Sequence, residues 1–292
     1  MRDTDRSGLV VVDKPGGLTS HDVVARVRRL AGTRKVGHAG TLDPMATGVL
    51  LVGVDRATRL LGHLALTEKS YDATVRLGLA TTTDDAAGEP LSGTSAGHLD
   101  DVLVASAARA FVGDIAQRPS AVSAIKVDGR RAYARVRAGE DVELPARPVT
   151  VHELVVSGVR TDEEAVDVDL HLRVSSGTYV RAIARDLGAA LGVGGHLTRL
   201  RRTSVGPFAL DEAHTLEELA DELAVRELSE VARRCFPTHQ LDAAQATDVG
   251  YGRALEVMLG AEGPVAVFGP HGGFLALYQQ RGGAAVPVAV FV

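Results

Sequence analysis

The sequence predicts an α+β protein with one large domain and a small β-rich domain after it. The clearest strand signal is Val166–Val174, where aliphatic and polar residues alternate without a break. Helical patterns separate the strands at irregular intervals, which argues against the regular βα repeat of a Rossmann or barrel fold. From about Pro237 the composition shifts to Gly, Ala and Val in short runs between turn signals, as is typical of short strands.

The first elements are a strand and an amphipathic helix. Residues 9–13 form an apolar run that ends at KPGG, and Thr19 or Ser20 is expected to cap the helix that follows. Val23, Val24 and Val27 would lie on the buried face of this helix. The further elements expected are strands at 49–54 and 71–77 and helices near 100–111, 131–138, 180–192 and 215–228.

The composition indicates a soluble globular protein, since 45% of the residues are hydrophobic and 24% are charged. The single cysteine, Cys235, excludes an intramolecular disulfide and a thiolate metal site, which fits a reducing cytoplasm. The charged start MRDTDRSG is not a signal peptide, and the apolar run at 49–54 is too short to cross a bilayer. We therefore expect neither export nor membrane insertion.

The net charge of −5 is unusual for a nucleic-acid-binding protein, but the acidic residues are unevenly distributed. From Phe208 onward there are 5 basic and 12 acidic residues, which leaves 27 basic and 25 acidic residues before it. Local basic clusters in the first 207 residues can therefore attract phosphates although the whole chain is acidic.

The segment GHAGTLDPMATGVLLVG, residues 37–53, is the densest group of residues that could carry chemistry. Asp43 lies in a glycine-rich turn before an apolar strand, flanked by His38, Thr41 and Thr47. An Asp before a Pro often merely initiates a turn. Glycines around it would also let a large substrate approach the backbone closely, which makes Asp43 a candidate catalytic carboxylate.

This segment resembles the signature motif of the TruB-type tRNA pseudouridine synthases, the family that modifies uridine 55 of tRNA. The resemblance covers most of residues 9–208, and its blocks occur in the family's order. These blocks are DKPGGLTSHDVV, GHAGTLDPMATGVLLVG, KSYDATVRLG, SAIKVDGRRAYARVRAG, ARPVTV, SSGTYVRAIARDLG and LTRLRRTSVGPF.

The resemblance implies the pseudouridine synthase fold, with a central mixed, mainly antiparallel sheet flanked by helices and a PUA-like C-terminal domain. The implied domains are 1–235, including an RNA-binding thumb at about 118–147, and 236–292. It also implies that Asp43 attacks the target nucleotide, that Arg181 pairs with this carboxylate, and that Tyr71 packs on the base and transfers a proton. Taken alone, Tyr71 could be an ordinary core aromatic and Arg181 a surface residue.

The expected partner is the T arm of tRNA, and the expected state is a monomer without a protein partner. The target uridine has to be extruded from the T loop, and His38 could stack in the gap that it leaves. The alternative for His38 is a loop histidine that is hydrogen-bonded to the backbone. The alternative for the basic clusters is that they are merely solvated surface residues. The expected RNA-binding residues are His38, Lys14, Lys126, Arg130, Arg131, Arg135, Arg199, Leu200, Arg201 and Arg202.

We expect no metal and no cofactor, because the ten histidines lack paired ligand spacing and no nucleotide-binding motif occurs. Three alternatives remain open. One is a hydrolase that uses Asp43 on a nucleoside, and another is a non-catalytic module that helps RNA to fold. The third is a guide-dependent enzyme acting on ribosomal RNA.

Overall fold

The computed structural model describes residues 7–120, 126–127, 130–131 and 144–292 of the chain. Strands and helices follow one another in irregular order, which confirms the predicted α+β class. The strands are β1 (Gly8–Lys14), β2 (Val36–Ala39), β3 (Thr47–Val54), β4 (Lys69–Leu77), β5 (Gly113–Gln117), β6 (Lys126–Val127), β7 (Arg130–Arg131), β8 (Arg147–Thr161), β9 (Val166–Val174), β10 (Gly195–Val205), β11 (Phe208–Ala209), β12 (Arg226–Glu227), β13 (Thr238–Gln240), β14 (Pro264–Phe268), β15 (Phe274–Arg281) and β16 (Ala284–Val290). The α-helices are α1 (Ser20–Ala31), α2 (Leu61–Leu64), α3 (Asp101–Arg109), α4 (Val180–Ala190), α5 (Leu216–Asp221), α6 (Leu228–Cys235) and α7 (Ala243–Gly250).

Contacts divide the chain into two compact units. The first comprises Met1–Pro44, Val49–Ala65 and Gly206–Val292, and the second comprises Met45–Gly48 and Leu66–Val205. The predicted boundary between residues 235 and 236 falls inside the first unit, and it stays a prediction.

In the first unit, α1 forms as the sequence predicts. Thr19 is its N-cap, and a capping box joins the side chains and backbone of Thr19 and Asp22. Val23 and Val27 on the inner face are fully buried, and burial of such side chains is worth about 1.5–3 kcal/mol each. The helix ends at Gly32, whose φ of +66° is the left-handed conformation that favours glycine.

The C-terminal part of the first unit contains the predicted small β-rich domain. Its four-stranded sheet has the order β13-β14-β15-β16, with β13 parallel to β14 and the other neighbours antiparallel. Leu241, Val249 and Val265 belong to its core. The buried Tyr278 hydroxyl donates a hydrogen bond to the backbone carbonyl of Arg253 at 2.7 Å. A core side chain thus satisfies a backbone acceptor of the loop after α7.

Arginine side chains connect the C-terminal sheet to the rest of the first unit. Arg56, in a 3-10 helix after β3, donates to the carbonyl of Phe291 at 2.8 Å, and Arg59 donates to the carbonyl of Val290. On α6, the Arg233 guanidinium lies 3.9 Å above the centre of the Phe268 ring. Helices outside the sheet thus contact both the end of its edge strand β16 and its inner strand β14.

In the second unit, β10, β4, β9, β8 and β5 form an antiparallel sheet in that order. The pairing of β4 with β9 runs without a register shift from Lys69 opposite Val174 to Leu77 opposite Val166. On the other side of β10, Thr47 and Gly48 at the start of β3 pair in parallel with Arg201 and Arg202. The sheet is therefore mixed and mainly antiparallel, as expected.

Two elements of the structure differ from what the sequence predicts. The helix expected near 215–228 ends at Asp221, because Glu222 adopts an extended backbone and Arg226–Glu227 pairs with β1. The long strand β8 was not predicted from the sequence, because its burial alternates clearly only in part. Most of the helix expected near 131–138 lies outside the described residues, and Arg131 belongs to β7.

Gly48 allows β3 to begin close to β10. Its φ is +98°, and a Cβ atom built on it would lie 2.2 Å from the carbonyl oxygen of Arg202. A side chain there is excluded both by backbone strain and by collision with a neighbouring strand.

We predict that Gly48→Ala lowers the free energy of unfolding by about 2–4 kcal/mol, measured by urea denaturation. Gly113→Ala is the matched control, because Gly113 has a φ of +107° but nothing within 4 Å of its would-be Cβ. The control should lose less stability, since it suffers strain without collision. Equal losses would show that the approach to β10 does not matter.

Candidate active site

In the first unit, the loop that carries Asp43 is fixed on both sides of that residue. Before it, the buried Ser20 hydroxyl accepts from the Leu42 amide at 2.9 Å and donates to the Leu42 carbonyl at 3.1 Å. After it, the Pro44 carbonyl accepts from the Gly17 amide at 2.8 Å. Asp43 itself is half-buried. The backbone flanking the carboxylate is therefore held by the segment between β1 and α1.

Lys14 contributes to the same loop from the end of β1. Its ammonium is fully buried and donates to the carbonyls of Pro15, Leu18 and Pro44 at 2.9, 2.7 and 3.3 Å. Three acceptors match the three donors of an ammonium group, which lets the charge be buried. This burial argues against the predicted contact of Lys14 with RNA, and it makes Lys14 a support of the Asp43 loop.

His38 lies on β2, opposite Val52 of β3, and is half-buried. Its ring meets that of His21 edge to face, with centroids 5.4 Å apart and an interplanar angle of 84°. His21 lies in the first turn of α1 and is exposed. His21 was not predicted from the sequence, because the contact joins residues 17 positions apart that no local pattern connects.

In the second unit, Tyr71 lies on β4 between Leu172 of β9 and Arg202 of β10. Its side chain is almost completely buried. Tyr71 thus lies on the buried face of the sheet, as the alternation of apolar and polar residues along β4 predicts.

Lys69 lies two residues before Tyr71 and so on the same face of β4. Its side chain is buried, and its ammonium donates to the carbonyl of Thr67 at 2.7 Å. Burial and the nearby charge of Arg202 lower the pKa of Lys69 to about 8. This residue was not singled out from the sequence, where a lysine at a strand's start gives no sign of burial.

Arg181 lies in the first turn of α4, where the sequence analysis placed it, and its side chain is buried. Within the second unit its Nη1 donates to the carbonyl of Thr83 at 2.8 Å and lies 3.5 Å from Oδ2 of Asp85. The other oxygen of Asp85, Oδ1, accepts from the Thr83 hydroxyl at 2.5 Å and from the Ala87 amide at 3.1 Å. Asp85 therefore presents a fixed carboxylate to the guanidinium.

A second acidic residue on this loop, Asp84, contacts the next turn of α4. Its Oδ2 lies 3.1 Å from Nη1 of Arg185, whose Nη2 donates to the carbonyl of Arg118 at 2.7 Å. Burial raises the pKa of Asp84, while the Arg185 charge opposes that shift. Asp84 and Asp85 were both missed, because the run TTTDD resembles an ordinary polar loop.

The basic strand segment after Leu197 separates into exposed and buried residues. Arg199 is exposed, and Arg201 is half-buried with its Nη1 donating to the Thr47 hydroxyl at 3.2 Å. Leu200 and Arg202 are buried, with exposed fractions of 6% and 1%. Their burial argues against the predicted direct contact of these two residues with RNA, and leaves Arg199 and Arg201 as candidates.

The predicted thumb residues are only partly described. In the antiparallel pair formed by β6 and β7, Lys126 is the register partner of Arg131, and Arg130 is that of Val127. Arg135 lies outside the described residues.

Among the described residues, no group of three or more His, Cys, Asp or Glu side chains could hold a metal ion. In the same part of the chain, no helix is long and apolar enough to cross a membrane.

We predict that the free energy of unfolding, relative to that of the Lys69→Met variant, rises between pH 8 and pH 10.5. The folded pKa of about 8 lies below the ordinary value of 10.5, so the unfolded chain binds more protons in this window. Urea denaturation of both proteins at pH 7, 9 and 10.5 measures the difference. A difference that stays constant would mean that Lys69 titrates normally.

Three models of protein families together match this chain from residue 28 to its last residue. The model described as TruB family pseudouridylate synthase (N terminal domain) matches residues 28–180. The models described as tRNA pseudouridylate synthase B C-terminal domain and as tRNA Pseudouridine synthase II, C terminal, match residues 181–245 and 236–292.

Similar proteins and structures agree with this match. A protein named tRNA pseudouridine synthase B from Thermobifida fusca is 59% identical, over 97% of this chain and 98% of its own length. One of the same name from Nocardia farcinica is 58% identical over 97% and 92%. The crystal structure of a Cbf5-Nop10-Gar1 complex contains a chain that is 27% identical, with a TM-score of 0.74 over 98% of this chain and 85% of that one. An H/ACA RNP bound to a substrate RNA containing 2'-deoxyuridine gives 26% identity and a TM-score of 0.73 over 98% and 86%.

The family match covers more than half of the chain, and the relatives cover nearly all of it. The chain therefore belongs to the TruB family of pseudouridylate synthases.

Proposed function

We propose that this protein is a tRNA pseudouridine synthase that isomerises uridine 55 in the T loop, with Asp43 as the attacking carboxylate. Membership of the TruB family, together with the fixed loop around Asp43, supports this function most directly. The relatives at 55–59% identity bear the name tRNA pseudouridine synthase B. The proposed partner is the T arm of tRNA, bound by a monomer in the cytoplasm.

The proposed reaction keeps every atom of the nucleotide. The bond between the ribose C1′ and uracil N1 breaks, the uracil turns within the site, and a bond forms between C1′ and C5. The proton on C5 is then lost, and N1 gains one. No oxidant or reductant is consumed. A carboxylate can assist this by attacking the nucleotide covalently, provided that it is ionised and held in position.

The proposed roles of the other side chains follow from their chemistry. Arg181 would pair with Asp43 and keep it charged, and Tyr71 would pack on the uracil and relay the proton from C5. His38 would stack where the uridine leaves the T loop. The hydrogen bonds of Ser20, Gly17 and Lys14 to Leu42 and Pro44 support this proposal, because a nucleophile has to be positioned within a few tenths of an ångström.

A test uses Asp43→Asn, which keeps the shape of the side chain and removes its charge. We expect no pseudouridine at position 55 of an unmodified tRNA transcript after incubation, by site-resolved mapping, while the Kd for tRNA stays within about threefold. Asp221→Asn is the control, since Asp221 is exposed at the end of α5. Wild-type product at other positions only would contradict the proposed substrate. A fully active Asp43→Asn protein would contradict the proposed nucleophile.

The same experiment separates the enzyme from a non-catalytic RNA-folding module. A protein that only helps tRNA to fold would give no product with the wild-type chain. It would also leave Asp43→Asn equal to wild type in a tRNA folding assay.

A second prediction concerns Asp85 as a positioning residue for Arg181. Asp85→Asn can keep Oδ1, which holds Thr83 and Ala87, and replaces the charged oxygen that faces Arg181. We expect the single-turnover rate of isomerisation to fall about 10- to 100-fold, with the Kd for tRNA nearly unchanged. The urea midpoint should fall as well, because both side chains of the pair are buried, so circular dichroism checks that the variant is folded in the rate assay. An unchanged rate would show that Asp85 does not position the guanidinium.

A further inference from the structure

The region before the Asp43 loop contains a long stretch without acidic residues. Between Asp22 and Asp43 there is no Asp or Glu, whereas five basic residues occur there. All five are exposed: Arg26, Arg28, Arg29, Arg34 and Lys35. We name Arg29, Arg34 and Lys35 the α1 basic face, because they lie at the end of α1 and in the turn that follows it.

Local structure explains only part of this charge. Arg28 and Arg29 lie in the last turn of α1, where cations interact favourably with the helix dipole. Arg28 also donates to the carbonyl of Val36 at 2.9 Å, which joins the helix to β2. Arg34 and Lys35 follow the C-cap Gly32, so neither reason applies to them.

The carboxylates near this region already have other partners. Asp22 accepts from the amide and the hydroxyl of Thr19 at 2.8 and 2.6 Å. Oδ1 of Asp55 accepts from the Thr33 hydroxyl at 3.1 Å, and its amide donates to the Lys35 carbonyl at 2.7 Å. Within the described part of the chain, the α1 basic face forms no ion pair with a carboxylate. Its charge is therefore not neutralised by the fold.

The backbone of the α1 basic face is nevertheless firmly held. The two hydrogen bonds to Asp55 fix the turn at Thr33 and Lys35, and β2 begins directly after it. His38 lies on that strand, about 10 Å from Lys35 at the usual rise per residue. The Asp43 loop follows the same strand, so both belong to one continuous piece of the first unit.

We propose that the α1 basic face binds the phosphodiester backbone of the substrate RNA a few nucleotides from the modified uridine. This inference rests on the proposed function. Guanidinium groups match phosphate oxygens in bidentate hydrogen bonds, and their binding releases counterions from the RNA. The whole chain has a net charge of −5, so an unneutralised basic face close to the active loop directs the polyanion to that part of the protein.

The test compares wild type with a triple variant, Arg29→Gln, Arg34→Gln and Lys35→Gln. We measure the Kd for unmodified full-length tRNA between 50 and 300 mM salt, and the yield of pseudouridine at saturating enzyme. The matched control is Arg109→Gln, Arg253→Gln and Arg281→Gln. These residues lie elsewhere, on α3, after α7 and on β15, and their substitution changes the net charge equally.

We expect the triple variant to bind tRNA about tenfold or more weakly at the lowest salt. The slope of log Kd against log salt should decrease by about two to three, or one per lost phosphate contact. At saturating enzyme the rate at position 55 should match wild type, because the proposed contacts are to phosphates and not to the uracil. The control should keep the wild-type slope.

A triple variant with the wild-type slope, or with a slope reduced only as much as in the control, would overturn the proposal. That result would leave the proposed function intact, because wild type would still form pseudouridine at position 55. Conversely, a wild type inactive on tRNA would refute the proposed function itself. Circular dichroism of the triple variant checks that α1 has not unfolded.

Discussion

The buried ammonium of Lys14 is the constraint on which the Asp43 loop depends. A charge without solvent is costly unless its donors are satisfied, and here the acceptors include two carbonyls of the segment after β1 and the carbonyl of Pro44. Because one acceptor belongs to Pro44, the cost of burying the charge is offset only when the loop adopts this conformation. The ammonium thus selects the backbone geometry directly after the carboxylate, and Ser20 does the same directly before it.

Buried cations recur in the second unit with different partners. Arg181 is held by a carbonyl and a carboxylate of the loop after β4, whereas Lys69 lies near Arg202. Burial and the nearby charge of Arg202 both disfavour the protonated form of Lys69, and together they lower its pKa. Tyr71 is located on the same strand face as Lys69. The buried tyrosine therefore has one apolar and one cationic cross-strand neighbour, Leu172 and Arg202.

Much of the secondary structure could be predicted because it follows from the local periodicity of apolar and polar residues. Val166–Val174 alternates strictly, and Thr19 with Asp22 forms a recognisable capping box, so β9 and α1 lie where they were expected. The resemblance to the TruB family likewise indicated Asp43 and Arg181 as candidates. Long-range pairing could not be predicted in this way. Arg202 is buried because β10 lies between β3 and β4, and this pairing is not visible in the local sequence. Asp85 and Arg181 lie 96 residues apart in the chain and are brought together only by the fold.

Lysines contribute little to the exposed positive charge of this protein. The sequence contains only four lysines among its 32 basic residues, and Lys14 and Lys69 are inside the fold. The exposed positive charge is consequently carried almost entirely by guanidinium groups, which stay protonated at any pH that a cell reaches. Acylation of amines leaves guanidinium groups untouched. The attraction of this surface for polyanions thus depends little on alkalinity, and acetylation can remove only the share that exposed lysines such as Lys35 contribute, whereas ionic strength screens all of it.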